Sequence, residues 1–351
     1  MKIRNCFLSK IIKFFLFLSL MLCWGNGISL VAADSGRNTE APLFPHARWV
    51  VALDGSGHFQ SIQEAIDHAQ TGDTVWIKRG SYHEDVTVHS KEQIQVIGEG
   101  RDLVLITGLE RVGTFHIGKW PYGATNVVIQ GMTIEQHGGL GFGIFNGEGI
   151  ILRQLHVKGM VFGQQVKGVR IEDCVIGGSE TTGISFADSQ ATVVHNFIHD
   201  NDHGIAVGGN SKVHIQNNVI VRSLYEGVLV TGKAEAVVVQ NTLFDNGGGV
   251  YFKDETTGVL RGNIIGNTKV AAQFSPKSHT QVSVNALFNN SEEYLVGGTT
   301  PPAHFQAERK DDFHVDPKFV APDRSDFRLQ SDSSLIQKGG FPFLGALPPI
   351  Q

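Results

Sequence analysis

Cysteine is nearly absent from this sequence: Cys6, Cys23 and Cys174 are the three in 351 residues. The first two lie in an apolar N-terminal stretch and Cys174 stands alone in the rest, so no intrachain disulfide can form there even in an oxidising compartment. Cys174 reads as a small buried hydrophobe. Positive charge is also scarce. Four of the 29 basic residues and no acid fall in the first 33 positions, which leaves 25 basic against 34 acidic residues, or about −9. Such a surface excludes a general nucleic-acid binder and has no overall attraction for polyanions, although a local basic patch could still hold one. A second long apolar run is missing, so no stable membrane span is expected. Extended helical spacing is missing too, and so is the Leu-x-x-Leu-x-Leu frame of leucine-rich repeats.

Present at the N-terminus are Lys2, Arg4, Lys10 and Lys13, then IIKFFLFLSLMLCW, then Val31-Ala32-Ala33. A basic start, an apolar centre and a small-residue end predict an export signal over residues 1–33, cleaved near Ala33 into the periplasm or the exterior. A short polar spacer over 34–47 follows.

The dominant signal is a repeat. The stretches VVHNFIHDNDHGIAV, HIQNNVIVRSLYEGVLV, VVVQNTLFDNGGGVYF, VLRGNIIGN and VSVNALFNN align on Asn196, Asn218, Asn241, Asn263 and Asn285, at steps of 22, 23, 22 and 22. Met132, Leu155 and Cys174 fall in the same column upstream. A period in the twenties with strand-like alternation is a solenoid signal, because each repeat covers its apolar face only by stacking on its neighbours. Three short strands per coil give an all-β fold, a right-handed parallel β-helix of about ten coils. Ordinary hairpin turns would leave irregular spacing. The Asn column is expected to occupy tight turns, where Asn tolerates a left-handed backbone, and to pass hydrogen bonds up the stack. Ile184, Ile205, Val228 and Val250 should form one inward column. Phe186, Val207, Val230, Phe252 and Phe274 should form a second.

Residues 48–100 differ from the repeats. Ser61 and Glu64 form a capping box, and Ile62, Ala65, Ile66 and Ala69 share one helical face, so an amphipathic helix is expected as a lid on the first coil. The stretches DGSGHFQSIQEAID, TVWIKRGSYHEDVTV and IQVIGEG resemble the start of pectinesterases and the wider pectin-lyase-like superfamily. That resemblance implies a helix of three sheets with a polysaccharide groove on one of them. Coils should run over 101–290, and an irregular tail over 291–351, with Pro301, the charge run ERKDD and a short DFRL strand, should fold over the last rung or along one side.

The pectinesterase machinery does not carry over. Its Gln-Asp-Thr strand falls near Phe162-Gly163-Gln164-Gln165-Val166 and its Asp-Phe-Ile-Phe-Gly strand near Thr182-Gly183-Ile184-Ser185-Phe186, with neither acid in register. The Asp-Pro-His-Asp motif of the similar mannuronan C5-epimerases is missing as well, and no Asp-Asp pair of the polygalacturonase kind is evident.

What remains is the turn entering the strands that begin at Gly183, Gly204, Gly227 and Gly249. It puts Thr182, His203, Glu226 and Gly248 in one column, so His203 and Glu226 should sit on adjacent rungs about 5 Å apart. A His beside a carboxylate is an acid and base couple suited to neutral pH. Arg222, Tyr225, Tyr251 and Lys253 have the types that β-elimination on a uronate polymer needs, and His203, Glu226, Arg222 and Tyr251 are the catalytic candidates. Gln165, Lys167, Asp188, Asp202, Tyr225 and Lys253 are substrate-binding candidates, and Asn210 and Lys233 join the rim where strands leave that face. Solvated turns are rich in such residues in any solenoid. His195, His199, Asp202 and His203 invite a metal reading, but their spacing on a strand and a turn gives them no common face, and no metal ligand is assigned. No cofactor is indicated.

The expectation is thus an exported, monomeric protein that acts on or binds an extracellular polysaccharide as a lyase, epimerase or hydrolase. The rivals are a non-catalytic carbohydrate-binding or envelope scaffold protein, and a periplasmic metal-handling β-helix protein like those that assist copper-enzyme maturation.

Overall fold

Asn196, Asn218, Asn241, Asn263 and Asn285 are all buried, and their hydrogen bonds define the architecture. In the computed structural model, which describes residues 48–109, 113–119, 121–300 and 311–350, each amide bridges two coils. Asn218 receives the backbone N–H of Asn196 at 3.0 Å and its Nδ2 at 2.9 Å, while donating its own Nδ2 to Val193 O at 2.8 Å and to Asn241 Oδ1 at 3.0 Å. Asn241, Asn263 and Asn285 repeat the pattern. Cys174 N–H donates to Asn196 Oδ1 at the upper end. At the lower end Asp312 takes the place of the next Asn, accepting the Asn285 N–H at 2.8 Å. An amide can do this because it carries donors and an acceptor together. The left-handed backbone, however, lies one position earlier than expected, at His195, Asn217, Gln240, Gly262 and Val284. The column Asn keeps a conformation that aims its amide inward, so hydrogen bonding rather than turn tolerance selects it.

Around this ladder the coils build three parallel walls. The first holds 11 strands, from Trp49–Val51 and Thr74–Ile77 down to Thr257–Arg261 and His279–Ser283. The second includes Val175–Gly177, Phe197–His199, Val219–Val221 and Thr242–Phe244, and the third Thr182–Ala187, His203–Gly208, Glu226–Val230 and Gly248–Phe252. Thr133–Phe145 and His156–Gln164 turn the corner without a break and belong to both the second and third walls. At a rung spacing of about 4.8 Å, 11 rungs make a rod of roughly 50 Å. Both expected inward columns are present and buried, from Ile184 to Val250 and from Phe186 to Phe274, and Phe252 stacks on Phe274 at 5.9 Å.

The lid helix, α1, spans Ile62–His68, with Ile62, Ala65 and Ile66 buried in the core. Ser61 Oγ accepts the Glu64 N–H at 3.3 Å, but the acid that completes the cap is Glu84 from the coil beneath, which accepts from Ser61 Oγ and from the Ile62 and Gln63 N–H groups. The helix start is therefore fixed to the stack and not to itself. The tail runs along one side. Phe319, Phe327, Leu329, Leu335 and Leu344 pack on Val219, Val221, Phe244, Ile264 and Ala286 of the second wall. Correspondingly, the second-wall strands turn from polar outward residues, such as Thr107, Glu135 and Lys158, to the apolar VIV, TLF, IIG and ALF. The expected export signal and spacer, residues 1–47, and the tail segment 301–310 lie outside the described residues.

A second polar column alternates Ser179, Asn201, Ser223, Asn246, Thr268 and Asn290 between the second and third walls. Each Asn accepts the backbone N–H of the Ser or Thr one rung above, at 3.0, 2.8 and 3.0 Å. Replacing Asn241 with Ala strips the Asn218 N–H and the Ile215 carbonyl of their partners inside the wall. The expected loss is about 3 kcal/mol, read as a lower urea midpoint with an unchanged slope. A midpoint equal to wild type would show that the ladder contributes no net stability.

Candidate functional site

The third wall is entered at a column of glycines. A Cβ on Gly204 would lie 2.4 Å from Gly227 O, and one on Gly249 would lie 2.1 Å from Ala271 O. The backbones thus approach so closely that only hydrogen fits on the α-carbon. The residues just before these glycines are stacked as the spacing predicts, with Thr182 opposite His203 and Glu226 opposite Gly248. His203 Nδ1 lies 3.1 Å from Glu226 Oε2, although its N–H is not aimed along a straight hydrogen bond. The Tyr225 ring stacks on the imidazole at 5.2 Å and 29°. It is also 37% exposed, beside Leu224 at 63%, so an apolar ledge borders the pair.

Electrostatics separates the members of this site. Burial pushes the Glu226 carboxyl up, but the contact with His203, its charge, the backbone of Glu226 and the charge of Lys253 together outweigh this and hold it below the usual carboxylate range. Asp202 goes the other way: burial raises it, helped by Glu180 and opposed by His203. Tyr251, which faces out from the next rung opposite Leu229, is raised by burial and by the nearby charges of Asp254 and Glu226. One carboxylate therefore stays ionised while a phenol and a second carboxyl hold their protons more tightly than usual, a separation suited to acid–base chemistry.

Other expected members lie elsewhere. Arg222 is in the same turn, but its Nε and Nη2 donate to Asp200 at 2.8 and 3.1 Å, and Asp200 also meets His199 Nδ1 at 2.7 Å. Its guanidinium is raised further by that bond, so it cannot act as a base and serves as a fixed charge. Gln165, Lys167, Asp188 and Asn210 sit at the far end of the third-wall strands, where Asp188 accepts from Asn210 N and Nδ2 at 2.9 and 3.1 Å. Four or five residues of extended chain separate them from His203, about 15 Å. Lys253 follows Phe252 at the same end of its strand yet acts on Glu226 through its charge. Sequence reading missed the His116 and Phe145 rings, which stack at 6.0 Å higher on the third wall. Their signal is weak, since they belong to coils of irregular length.

The metal candidates fall on different faces: His195 at a turn, His199 on the second wall and His203 on the third. Among the described residues no group of three His, Cys, Asp or Glu could hold a metal ion.

A three-walled parallel β-helix with this lid places the protein in the pectin-lyase-like superfamily. More particularly, the chain belongs to the family described as periplasmic copper-binding protein (NosD), whose model matches residues 124–310, over half of the 351. The pectinesterase model matches residues 48–141. Relatives by sequence include the probable pectinesterase/pectinesterase inhibitor 6 of Arabidopsis thaliana, 34% identical over 117 residues, which are 30% of this chain and 20% of that one. Pectinesterase 2 of Citrus sinensis is 40% identical over 73 residues, 20% of this chain and 14% of that one. The chain thus spans a fifth or less of the length of these relatives. Among solved structures, the mannuronan C-5 epimerase A-module of Azotobacter vinelandii has a TM-score of 0.49 at 17% identity, covering 68% of this chain and 76% of that one. Pectate lyase Pel9A has 0.44 at 13%, covering 83% and 91%. The pectinesterase match ends at residue 141, before the strands on which that family's acids would fall.

The copper in the family description can be tested against the donors here. Soft sulfur ligands suit copper(I), but Cys174 is buried with its thiol pushed up to about 12 by that burial and its Sγ donating to Glu172 O at 3.2 Å. Met132 and Met160 are buried as well. The sulfur donors of the described residues therefore do not fit copper(I).

Because the Glu226 carboxyl is lowered in the folded protein, its stabilising contribution is complete above the ordinary pKa of about 4.3 and fades as pH falls through the folded value. Melting curves of wild type and Glu226→Gln should therefore differ most near neutral pH and converge in acid. Parallel curves at all pH values would show that the His203 contact stabilises nothing.

Proposed function

We propose that this is an exported β-helix protein that acts on an extracellular uronate polymer by proton transfer at carbon, as a lyase or an epimerase, on the third wall. The observation that carries the reading is the 3.1 Å contact between His203 and Glu226 beside the half-exposed Tyr225 ring. Uronate elimination and epimerisation both begin when a base removes the proton next to the sugar carboxylate. Glu226, kept ionised, with His203 against it, is the base couple. Tyr251, whose proton is held by burial, supplies a proton to the glycosidic oxygen or to the opposite face of the carbanion. Tyr225 and Leu224 offer an apolar ledge for a pyranose face, and Lys253 the charge that meets the uronate carboxylate. Arg222 holds the turn through Asp200. The family's description as periplasmic supports export.

The test is to incubate the mature protein with polygalacturonate, polymannuronate and polyguluronate, following ultraviolet absorbance for unsaturated ends and proton NMR for inverted C5 centres. His203→Ala and Glu226→Gln should each lower turnover by about 10²-fold or more at unchanged fold, and Tyr251→Phe should remove the alkaline limb of the pH profile. Binding of these polymers without turnover would leave a carbohydrate-binding scaffold in place of an enzyme. Turnover that survives both substitutions would place the chemistry elsewhere.

A further inference from the structure

A second concave site lies at the lid end of the first wall, away from the His203 column. It is a cleft of about 490 Å³ lined by Ala52, Leu53, Asp54, Trp76, Lys78, Arg79 and Glu99. Its volume is within the range of small-ligand sites, roughly 300–1,000 Å³. Val75 and Ile77 point into the core and are fully buried, so Trp76 between them presents its indole outward, partly buried. Leu53, 47% exposed, reaches across to lie 2.9 Å from where a Cβ on Gly80 would stand. That glycine therefore leaves the space that lets Leu53 fold beside the cleft.

The rim of the cleft is polar and balanced. Arg79 donates to Glu99 Oε1 through Nε and Nη2 at 3.2 and 2.6 Å, and its backbone N–H donates to Glu99 Oε2 at 2.8 Å. Lys78 Nζ reaches Ser56 Oγ at 3.1 Å, and Ser56 in turn donates from N and Oγ to Asp54. Two cations and two carboxylates thus surround an apolar plate with no net charge. Because Glu99 and Asp54 offset Arg79 and Lys78, such a rim has no surplus positive charge with which to hold a phosphate or a polyanion. It suits a ligand with one apolar face and a ring of groups that both donate and accept hydrogen bonds.

We infer that this cleft is a pyranose-binding site, with the Trp76 indole as the stacking plate and Asp54, Lys78, Arg79 and Glu99 as hydroxyl partners, selecting an uncharged sugar. It is separate from the third-wall site. Five rung steps divide the Thr74–Ile77 strand from Gln190–Val194, which precedes His203, or about 24 Å along the rod. The site would hold a neutral glycan, or a neutral stretch of a mixed one, while the distant third wall remains free.

The indole is its own reporter. The mature protein is titrated with cellohexaose, xylohexaose, mannohexaose and hexagalacturonate while tryptophan fluorescence is followed. At least one neutral hexasaccharide should give a saturable change that hexagalacturonate does not. Read by isothermal titration calorimetry, because the Trp76 variants lack the reporter, Trp76→Ala should weaken that binding by about tenfold or more, Leu53→Glu should weaken it at a position that is exposed and tolerant of charge, and Trp76→Phe should retain most of it. His203→Ala should leave the titration unchanged, which separates this site from the one proposed for catalysis. No response to any of the neutral sugars, a response that survives Trp76→Ala, or a preference for the uronate would each overturn the inference.

Discussion

Everything in this protein depends on the vertical hydrogen bond between equivalent residues of successive coils. In a parallel stack each strand passes its N–H and C=O groups to the coils above and below, so nothing in the interior is satisfied unless every coil keeps its place. The turns are the weak points, because the ladder lapses there and backbone groups are left over. Two polar columns close the gaps. The buried Asn ladder from Asn196 to Asn285 seals the corner between the first and second walls, and the alternating Ser, Thr and Asn column from Ser179 to Asn290 seals the corner between the second and third. With both corners fixed, a one-residue slip would strand a row of amides as well as turn the inward columns out.

That rigidity is what makes a site out of a turn. His203 and Glu226 belong to separate coils and meet because each is placed by a glycine that allows two backbones to touch. Tyr225 is carried in with Glu226, and its N–H donates to the carbonyl of Asp202 on the rung above. The proposed chemistry therefore sits where glycine contacts and a backbone hydrogen bond tie adjacent coils together. By contrast, the rim group of Gln165, Lys167 and Asp188 belongs to the opposite corner of the same wall, where Asp188 serves its neighbour Asn210.

The ends of the solenoid are handled differently from its middle. At the top, Glu84 of the coil beneath caps the start of the lid helix, and the cleft at Trp76 forms where the lid segment folds back on the first wall. Lower down, the tail lies against the second wall, whose outward residues have become apolar to receive it. The aromatic contacts of Phe244 with Phe319 and Phe327 hold it there. Among the described residues, the tail covers the second wall and leaves the first and third open along the lower coils.

From the sequence alone, the period of 22 or 23 residues determined the parallel stack, both inward columns and the adjacency of His203 and Glu226. The reason is that in a solenoid the main long-range relation is an offset of one period, and a period is visible in one dimension. The second polar column was equally written there, as Ser or Thr alternating with Asn at the same step. Only the tertiary structure decided the rest: which turn residue takes the left-handed backbone, that Glu84 rather than Glu64 caps the helix, that Asp200 occupies Arg222, and that the tail chooses the second wall. Those contacts join segments that do not repeat, or depend on how far a side chain reaches around a corner. Neither leaves a regular mark on the order of the residues.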